Sequence, residues 1–297
     1  MTSVAFLGLG AIGRPMARRL AGRPGIDLTV WNRTAQRAEE FARETGAGIA
    51  PTPTEAVRGA AVVITCLSTS ADVESILGGD DGILAGIAPG SVLVDCTSGD
   101  PVTSRRIAAH LGERDVGFLD APVSGGTTGA EAGTLTIMIG GDARLLDRVR
   151  PVLEAFGSKV VHCGDIGSGD ALKAVNNALL AIHIWSTAEG LAALARAGVA
   201  PSVALDVINA SSGRSNASQN LFPARVLNRA FPRTFRLALL DKDVGIAAAF
   251  ARDQHVPSPL LQLGAELFRA AHHELGGDAD HVEAVKLVER WAGVEIA

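Results

Sequence analysis

Residues 4–13 read VAFLGLGAIG, and this stretch decides the fold of the first half of the chain. The apolar run Val4–Leu7 ends at a glycine, which is typical of a short buried strand in a parallel sheet. The following glycines match the spacing GxGxxG, and residues 11–20 then show the apolar periodicity of a helix. A strand, a glycine-rich turn and a helix in this order predict the first βαβ unit of a dinucleotide-binding domain.

Each glycine of this turn has an expected role in binding a dinucleotide. Gly8 forms the tight turn, Gly10 lets the pyrophosphate approach the backbone, and Gly13 packs the helix against the strand. The phosphates are expected at the helix N-terminus, where free N–H groups favour negative charge. A glycine-rich turn without a ligand is the alternative. The residues expected to bind the cofactor here are Gly8, Leu9, Gly10, Ala11, Ile12 and Gly13.

The end of the second predicted strand indicates which dinucleotide is bound. An NAD site usually carries Asp or Glu about 20 residues after the glycine motif, but this chain has Trp31-Asn32-Arg33-Thr34 there. Arg33 can stack on adenine and pair with a 2′-phosphate, and Asn32 and Thr34 can donate hydrogen bonds to that phosphate. We therefore predict NADP(H) in preference to NAD(H). The alternative for Arg33 is a solvated charge in a loop.

Strands and helices continue to alternate through the first half of the chain. Leu28–Trp31, Val62–Leu67 and Val92–Asp95 have the composition of buried strands, and Pro101 suits the start of a later helix. This alternation predicts the α/β class, with a Rossmann-type, mostly parallel sheet. Open sheets of this kind bind ligands at the carboxyl ends of their strands. The residues of two turns expected to line the cofactor cleft there are Leu67, Ser68, Thr97 and Ser98.

The second half of the chain has the pattern of helices alone. We predict a dinucleotide-binding domain over residues 1–165 and an all-helical domain over residues 166–297, joined by a long helix from about residue 167 to about residue 197. Polar residues interrupt the most apolar part of that helix, residues 178–195, so we interpret it as a buried helix and not a membrane span. The later predicted helices cover residues 201–210, 245–253, 257–273 and 281–294.

A serine and two glycines between two apolar runs suggest an anion-binding turn. They lie in residues 120–141, DAPVSGGTTGAEAGTLTIMIGG, where Ser124-Gly125-Gly126 follows one apolar run and Leu135–Ile139 forms the next. Glycines let the backbone approach a bound group closely, and consecutive N–H groups form a concavity that suits a carboxylate. A plain β-turn between two strands is the alternative.

A lysine in an apolar helical segment is the candidate catalytic group. Lys173 and Asn177 are four residues apart, so they share one face of a helix, and most of their neighbours are apolar. Partial desolvation lowers the affinity of a lysine for its proton, as general acid/base catalysis requires. Asn177 could orient both the lysine and a substrate hydroxyl. The alternative is a lysine whose stem covers apolar surface while its ammonium group reaches water.

Composition excludes several other classes of function. The net charge is −5 and basic residues do not cluster, which argues against nucleic-acid binding. Three cysteines without paired spacing indicate a reducing compartment, and we expect a cytoplasmic protein because the chain shows no signal-peptide pattern. No metal site is expected, since the seven histidines lack ligand spacing. The absence of tyrosine excludes a Tyr/Lys catalytic pair.

Four blocks of sequence resemble the β-hydroxyacid dehydrogenase family, which includes 3-hydroxyisobutyrate dehydrogenase and tartronate semialdehyde reductase. The blocks are GLGAIGRPM, DAPVSGG…GTLTIMIGG, GSGDALKAVNN and DKDVGIA, in this order between residues 8 and 247. The resemblance implies a Rossmann domain and a helical domain joined by a long helix, with the active site between them, and assembly into homodimers or homotetramers. Departures from the usual family pattern occur at Ile12, Ser68 and Thr97-Ser98.

The same resemblance implies roles for individual residues. Lys173 would be the general acid/base and Asn177 its partner, while Ser124, Gly125 and Gly126 would hold the substrate carboxylate. Lys242 would contact the substrate and the nicotinamide, and Asp243 beside it would contact the cofactor. Ser98, more than Thr97, would also contact the cofactor.

We therefore predict an NADP-dependent oxidoreductase that interconverts a small β-hydroxy acid and its semialdehyde or keto acid. One alternative is imine reduction, although imine reductases usually lack a lysine at the position of Lys173. The other is a regulatory protein that binds NADP(H) without turnover. A polar stretch over residues 211–220, including Arg214, could either contact the distal end of the substrate or form a solvated loop.

Overall fold

The apolar run at the N-terminus forms an interior strand of a nine-stranded sheet. This strand, β1, pairs in parallel with both β2 and β4, and the sheet order is β3-β2-β1-β4-β5-β6-β8-β7, with β9 beside β8. The first six strands are parallel, whereas β8 runs antiparallel to β6 and β7. The strands are β1 Thr2–Leu7, β2 Ile26–Trp31, β3 Gly48–Ile49, β4 Val62–Thr65, β5 Val92–Asp95, β6 Gly117–Asp120, β7 Val123–Ser124, β8 Leu135–Gly140 and β9 Gly157–Gly164.

Alternation along β1 shows that both faces of this sheet are covered. Val4 and Phe6 pack into one apolar core, while Ala5 and Leu7 pack into another on the opposite face. Side chains of a strand point alternately to its two faces, so the continuous apolar run predicted a strand buried on both sides. The helices that accompany the sheet are α1 Gly13–Ala21, α2 Ala35–Thr45, α3 Pro53–Val57, α4 Ser70–Ser75, α5 Ile83–Gly86, α6 Pro101–Gly112, α7 Gly126–Ala132 and α8 Ala143–Leu153.

The rest of the chain is helical and has its own apolar core, built around Trp185, Phe222 and Phe268. The predicted class, a mostly parallel Rossmann-like sheet domain followed by a helical domain, is confirmed. The helices here are α9 Ser168–Arg196, α10 Pro201–Asn209, a π-helical segment Ala217–Val226, α11 Leu237–Asp253, α12 Pro259–Leu275, a 3₁₀ turn His281–Ala284 and α13 Val285–Ala292.

The computed structural model describes residues 1–297, and two units divide it: Met1–Lys173 and Ala174–Ala297. We refer to them as the sheet unit and the helical unit. The division falls inside α9 and later than the boundary predicted near residue 165, because the first turn of α9 is hydrogen-bonded to the sheet unit through Asp120.

Three segments differ from the sequence-based expectation. Residues 126–132 form the helix α7 directly after the Ser-Gly-Gly motif, so that motif is not a plain β-turn between strands. Residues 217–226 form a π-helical segment whose Leu221 and Phe222 are buried, although the neighbouring polar residues suggested a loop. Leu237 begins α11 well before the predicted residue 245, since the polar run 241–243 hides the helical spacing of Leu237, Leu240 and Val244.

Helix α9 is long and apolar enough, by length and composition, to cross a membrane. Core helices of globular proteins meet the same criteria. Ala181, Ile184, Ala188 and Leu191 of α9 are fully buried in the core of the helical unit. We therefore interpret α9 as a core helix.

Candidate active site

The glycine-rich turn between β1 and α1 has the shape that a dinucleotide pyrophosphate requires. Gly8 adopts φ = +109°, and a Cβ there would overlap the carbonyl oxygen of Cys66. A Cβ on Gly13 would overlap the carbonyl oxygen of Gly8, so the helix can pack this closely only against glycine. Around Gly10, in contrast, no atom lies within 4 Å of the Cβ position. The turn is thus tight on its protein side and open at Gly10.

The N-terminus of α1 also suits an anion. No side chain caps this end of the helix, and no acidic residue lies in its first turn. Backbone N–H groups at a helix start and the helix dipole both favour a phosphate. The residues present therefore fit a dinucleotide cofactor, with Leu9, Ala11 and Ile12 beside the three glycines.

The two residues that follow β2 are an asparagine whose side chain holds backbone groups and an arginine that is exposed. Asn32 accepts a hydrogen bond from the Leu9 N–H at 2.9 Å and donates one to the Thr34 carbonyl at 3.0 Å, so its side chain joins the glycine-rich turn to the end of β2. The Arg33 side chain is 84% exposed and lies 3.5 Å from Asp72. Arg33 is therefore accessible to a ligand, whereas the amide of Asn32 already holds two backbone groups.

The turns after β4 and β5 are joined by Thr97. Its hydroxyl accepts a hydrogen bond from the Leu67 N–H at 3.0 Å, and its own N–H donates to Asp95 at 3.0 Å. Thr97 is buried, whereas Leu67 and Ser98 are partly exposed and Ser68 is exposed. Of the two hydroxyl residues predicted after β5, Ser98 is the one whose side chain is accessible.

The Ser-Gly-Gly motif forms the connection from β7 to α7. Ser124 pairs with Thr136 in the sheet, and Gly125 then adopts φ = +136°. Gly126 has φ = +65° with no atom within 4 Å of its Cβ position, and it starts α7. Both glycines are exposed, so their backbone is accessible to a small ligand.

Lys173 lies near the start of α9, as its sixth residue and in its second turn. It is partly buried, between the buried residues Ala171 and Ala174. Of its predicted apolar neighbours, Ala171 and Ala174 are buried, whereas Leu172 is exposed.

One helical turn later, Asn177 is held by a carboxylate of the helical unit. Asn177 is buried and donates a hydrogen bond to Asp243 at 2.6 Å. The other oxygen of Asp243 forms an ion pair with Lys242 at 2.8 Å. Asp243 is itself buried, so it orients an amide and an ammonium group at once. The sequence pattern did not indicate this network, because the partners are 66 residues apart.

Three buried aspartates of the sheet unit were missed by the sequence-based reasoning: Asp95, Asp120 and Asp170. Burial raises the pKa of Asp95 to about 6, against hydrogen bonds from Thr97 and Thr65 that lower it. Burial and the nearby charge of Asp120 hold the pKa of Asp170 well above its usual range. Aspartate is rarely buried without hydrogen-bond partners, but sequence spacing does not reveal such partners. No group of three or more His, Cys, Asp or Glu side chains is placed to hold a metal ion.

The polar stretch at residues 211–220 lies partly in the π-helical segment. Arg214 is exposed, whereas Ser218 is buried and accepts a hydrogen bond from the Ser215 N–H at 2.8 Å. Asn209 donates to the Ser218 carbonyl at 3.1 Å. The serines therefore stabilise the local backbone.

Two family models match the chain. Residues 3–164 match the NAD binding domain of 6-phosphogluconate dehydrogenase, and residues 167–288 match the NAD-binding domain of NADP-dependent 3-hydroxyisobutyrate dehydrogenase. Together the two models span almost the whole chain.

Individual proteins agree with the family models. An NAD-dependent L-serine dehydrogenase of Pseudomonas aeruginosa is 39% identical over 99% of this chain and 100% of its own length. A 3-hydroxyisobutyrate dehydrogenase of the same organism is 38% identical over 95% of each chain. The solved structure of Mycobacterium tuberculosis 3-hydroxyisobutyrate dehydrogenase with L-serine has a TM-score of 0.89 and 32% identity, covering 97% of this chain and 99% of that one.

The predicted relationship is therefore confirmed over the full length. Because both halves match and the relatives are dehydrogenases of hydroxy acids, this chain is an oxidoreductase of CH–OH groups that belongs to the β-hydroxyacid dehydrogenase family.

Proposed function

We propose that this enzyme interconverts a small β-hydroxy acid and its semialdehyde or keto acid with NADP(H), and that Lys173 is the general acid/base. The observation that carries the proposal is the position of Lys173 on α9, partly buried and one turn before Asn177, whose amide is fixed by Asp243. An ordered helix face of this kind is suited to holding a proton donor in one geometry.

Each residue group has a proposed task in the reaction. The turns at Gly8–Gly13 and at Ser98 hold the cofactor, and Ser124, Gly125 and Gly126 hold the substrate carboxylate with their hydroxyl and N–H groups. When bound, the nicotinamide supplies or accepts the hydride. In the oxidation direction neutral Lys173 accepts the hydroxyl proton, and in reduction the ammonium form donates a proton to the developing alkoxide. Lys242, paired with Asp243, contributes positive charge toward the anionic substrate.

The substrate class is supported by the names of the relatives. They act on L-serine and 3-hydroxyisobutyrate, which are both small acids with a hydroxyl on the β carbon. We propose these two acids as the first compounds to assay, with their aldehyde products as substrates for the reverse reaction. Cyclic imines are assayed beside them as alternative substrates. Turnover of the β-hydroxy acids supports the proposal. Turnover of imines alone, or cofactor binding without any turnover, contradicts it.

The preference for NADP(H) rests on Arg33. Its guanidinium group is exposed at the tip of β2, and no carboxylate stands within the segment Trp31-Asn32-Arg33-Thr34. The L-serine dehydrogenase relative is named NAD-dependent, so the choice of cofactor must be measured on this chain.

Arg33→Ala is the experiment for the cofactor choice. We expect kcat/KM for NADP⁺ to fall roughly 10- to 100-fold, the scale of losing one charge-assisted contact, with kcat/KM for NAD⁺ little changed. Arg37→Ala is the matched control, because Arg37 is also exposed and lies in α2, four residues after Arg33. This substitution should leave both kcat/KM values unchanged. A wild-type preference for NAD⁺ contradicts the proposal.

The setting of the enzyme is also a proposal. Cys66, Cys96 and Cys163 are free thiols, and burial raises the pKa of the Cys66 thiol to about 12. Free, unreactive thiols suit a reducing compartment, so we propose a cytoplasmic enzyme.

A further inference from the structure

Two carboxylates of the sheet unit are buried without any role in the reaction described above. Asp120 ends β6 and Asp170 lies in the first turn of α9, with 0% and 1% of their surface exposed. A buried carboxylate is costly unless hydrogen bonds satisfy it, and removing its partners is strongly destabilising. Their contacts therefore show what the two side chains hold in place.

Asp120 binds the start of α9. One carboxylate oxygen accepts the Gly167 N–H at 2.7 Å and the other accepts the Asp170 N–H at 3.0 Å. The first N–H groups of a helix have no partner within the helix, and a negative charge beside them is stabilised by the helix dipole. Asp120 therefore fixes both the position and the direction of this helix end.

Asp170 joins the start of α9 to the turn that follows β5. It accepts the Gly99 N–H at 3.0 Å and the Ser104 hydroxyl at 2.6 Å. Gly99 directly follows Ser98, and Ser104 lies in the first turns of α6. The start of α9 is thus joined to the turn that carries the accessible serine of the proposed cofactor site.

Glycines surround the two carboxylates and leave room for them. A Cβ on Gly140 would overlap the carboxylate of Asp120, and a Cβ on Gly169 would lie 2.9 Å from it. A Cβ on Gly99 would lie 3.1 Å from the carboxylate of Asp170. The backbone is therefore packed around these two side chains.

We infer that Asp120 and Asp170 are positioning residues that set the location of Lys173 relative to the Ser98 turn and the Ser-Gly-Gly motif. Lys173 follows Asp170 by three residues on the same helix, and Asp120 precedes Ser124 by four residues in the chain. The inference rests on the proposed catalytic role of Lys173. It adds that the geometry of the lysine depends on two buried carboxylates that have no proposed contact with substrate or cofactor.

Asp120→Asn tests the inference, because it keeps the size of the side chain but replaces one acceptor oxygen with an NH₂ group facing a backbone N–H. A displacement of about 1 Å at a reacting group can cost about 10²-fold in rate. We expect kcat to fall roughly 10- to 100-fold, with KM for the hydroxy acid and Kd for NADPH changed less than about threefold.

A double-mutant cycle with Lys173→Ala separates positioning from general stability. If Asp120 acts through Lys173, Asp120→Asn lowers kcat in the wild-type background and has no further effect in the Lys173→Ala background. An equal fall in both backgrounds overturns the inference while leaving the role of Lys173 intact. Near-normal turnover of Lys173→Ala alone contradicts the proposed function instead.

A second variant, with a matched control, keeps the test decisive if Asp120→Asn does not fold. Ser104→Ala removes only the hydroxyl donor to Asp170, and we expect the same pattern at a smaller size, roughly a two- to tenfold fall in kcat with non-additivity toward Lys173→Ala. Asp142→Asn is the matched control, because Asp142 caps α8 by accepting the Arg144 N–H at 2.8 Å and α8 carries no site residue. Unchanged kcat in Ser104→Ala, or a fall in Asp142→Asn as large as that in Ser104→Ala, overturns the inference.

Discussion

At the scale of single residues, neighbours determine what each side chain can do. Asn32 and Thr97 stand at predicted cofactor positions, yet their side chains are used to join backbone segments of the sheet unit. Arg33 and Ser98, one position further on in each case, remain accessible. The sequence indicated these positions correctly as turns at the strand ends, but only the folded structure shows that Asn32 and Thr97 hold backbone N–H groups and how far each side chain is exposed.

Lys173→Ala is the central test at this scale. We expect kcat to fall by roughly 10²–10⁴-fold, the usual effect of losing a general acid/base, while the Kd for NADPH measured by fluorescence stays nearly unchanged. Lys159→Ala, which removes an exposed lysine on β9, is the control and should retain full activity. Turnover near the wild-type level in Lys173→Ala would refute the assignment.

Asp95 makes the stability of the chain depend on pH. Its pKa is raised by burial from an ordinary 3.8 to about 6, so the folded chain binds this proton more tightly than the unfolded chain. The free energy of unfolding therefore falls as pH rises from about 4 to about 6, by roughly 3 kcal/mol from this group alone. The Asp95→Asn variant has no ionisable carboxyl group at this position, so it lacks this contribution to the pH dependence of stability.

The measurement is urea unfolding of wild type and Asp95→Asn at several pH values between 4 and 7. We expect the wild type to lose stability relative to the variant as pH rises through this window, and the difference to level off above it. A difference that does not change with pH would show that Asp95 has an ordinary pKa. Asp120 and Asp170 are present in both proteins and largely cancel in the comparison.

At the scale of elements, hydrophobic spacing located most helices, while their ends depended on contacts elsewhere. Helix α6 begins at Pro101 as predicted, because Asp100 caps it locally by accepting the N–H groups of Val102 and Thr103. The start of α9 depends instead on Asp120, which is 47 residues from Gly167 in sequence. Local signals therefore predict local caps, whereas long-range caps require the fold.

The junction of β1 and α1 gives a prediction for an element. Gly13→Ala places a methyl group against the carbonyl oxygen of Gly8 and forces the helix away from the turn. We expect the Kd for NADPH to rise at least about tenfold, since the phosphate site at the helix start is displaced. Gly22→Ala, at the other end of α1, meets only the Arg18 carbonyl at 3.8 Å and should leave the Kd unchanged. Equal effects of the two substitutions would contradict this account.

At the scale of the whole molecule, the sheet unit and the helical unit have separate cores. The apolar clusters on the two faces of the sheet contain residues of the sheet unit, and the third cluster is built from residues 174–296. Large apolar side chains of the helical unit nevertheless remain exposed: Leu179, Val203, Val207, Leu260, Leu263 and Trp291.

This exposed apolar surface supports the prediction of a homodimer or homotetramer. Light scattering on the eluting peak of a size-exclusion column should give two or four times the chain mass. The mass should be the same at low and high salt, because apolar contacts are not screened by ions. A measured mass equal to that of a single chain, at micromolar protein concentration, would contradict the prediction.

The sequence by itself determined the α/β class of the first half, the glycine-rich turn, the helical second half and the candidate lysine. These features are written in local patterns of a few to some twenty residues, which reflect burial, helix periodicity and backbone freedom. The tertiary structure decided the rest: the hydrogen bond from Asn177 to Asp243, the hydrogen bonds that Asp120 and Asp170 make at the start of α9, and the burial of Thr97 beside the partly exposed Ser98. Those depend on groups 30 to 71 residues apart, whose pairing follows only from the folded arrangement of strands and helices.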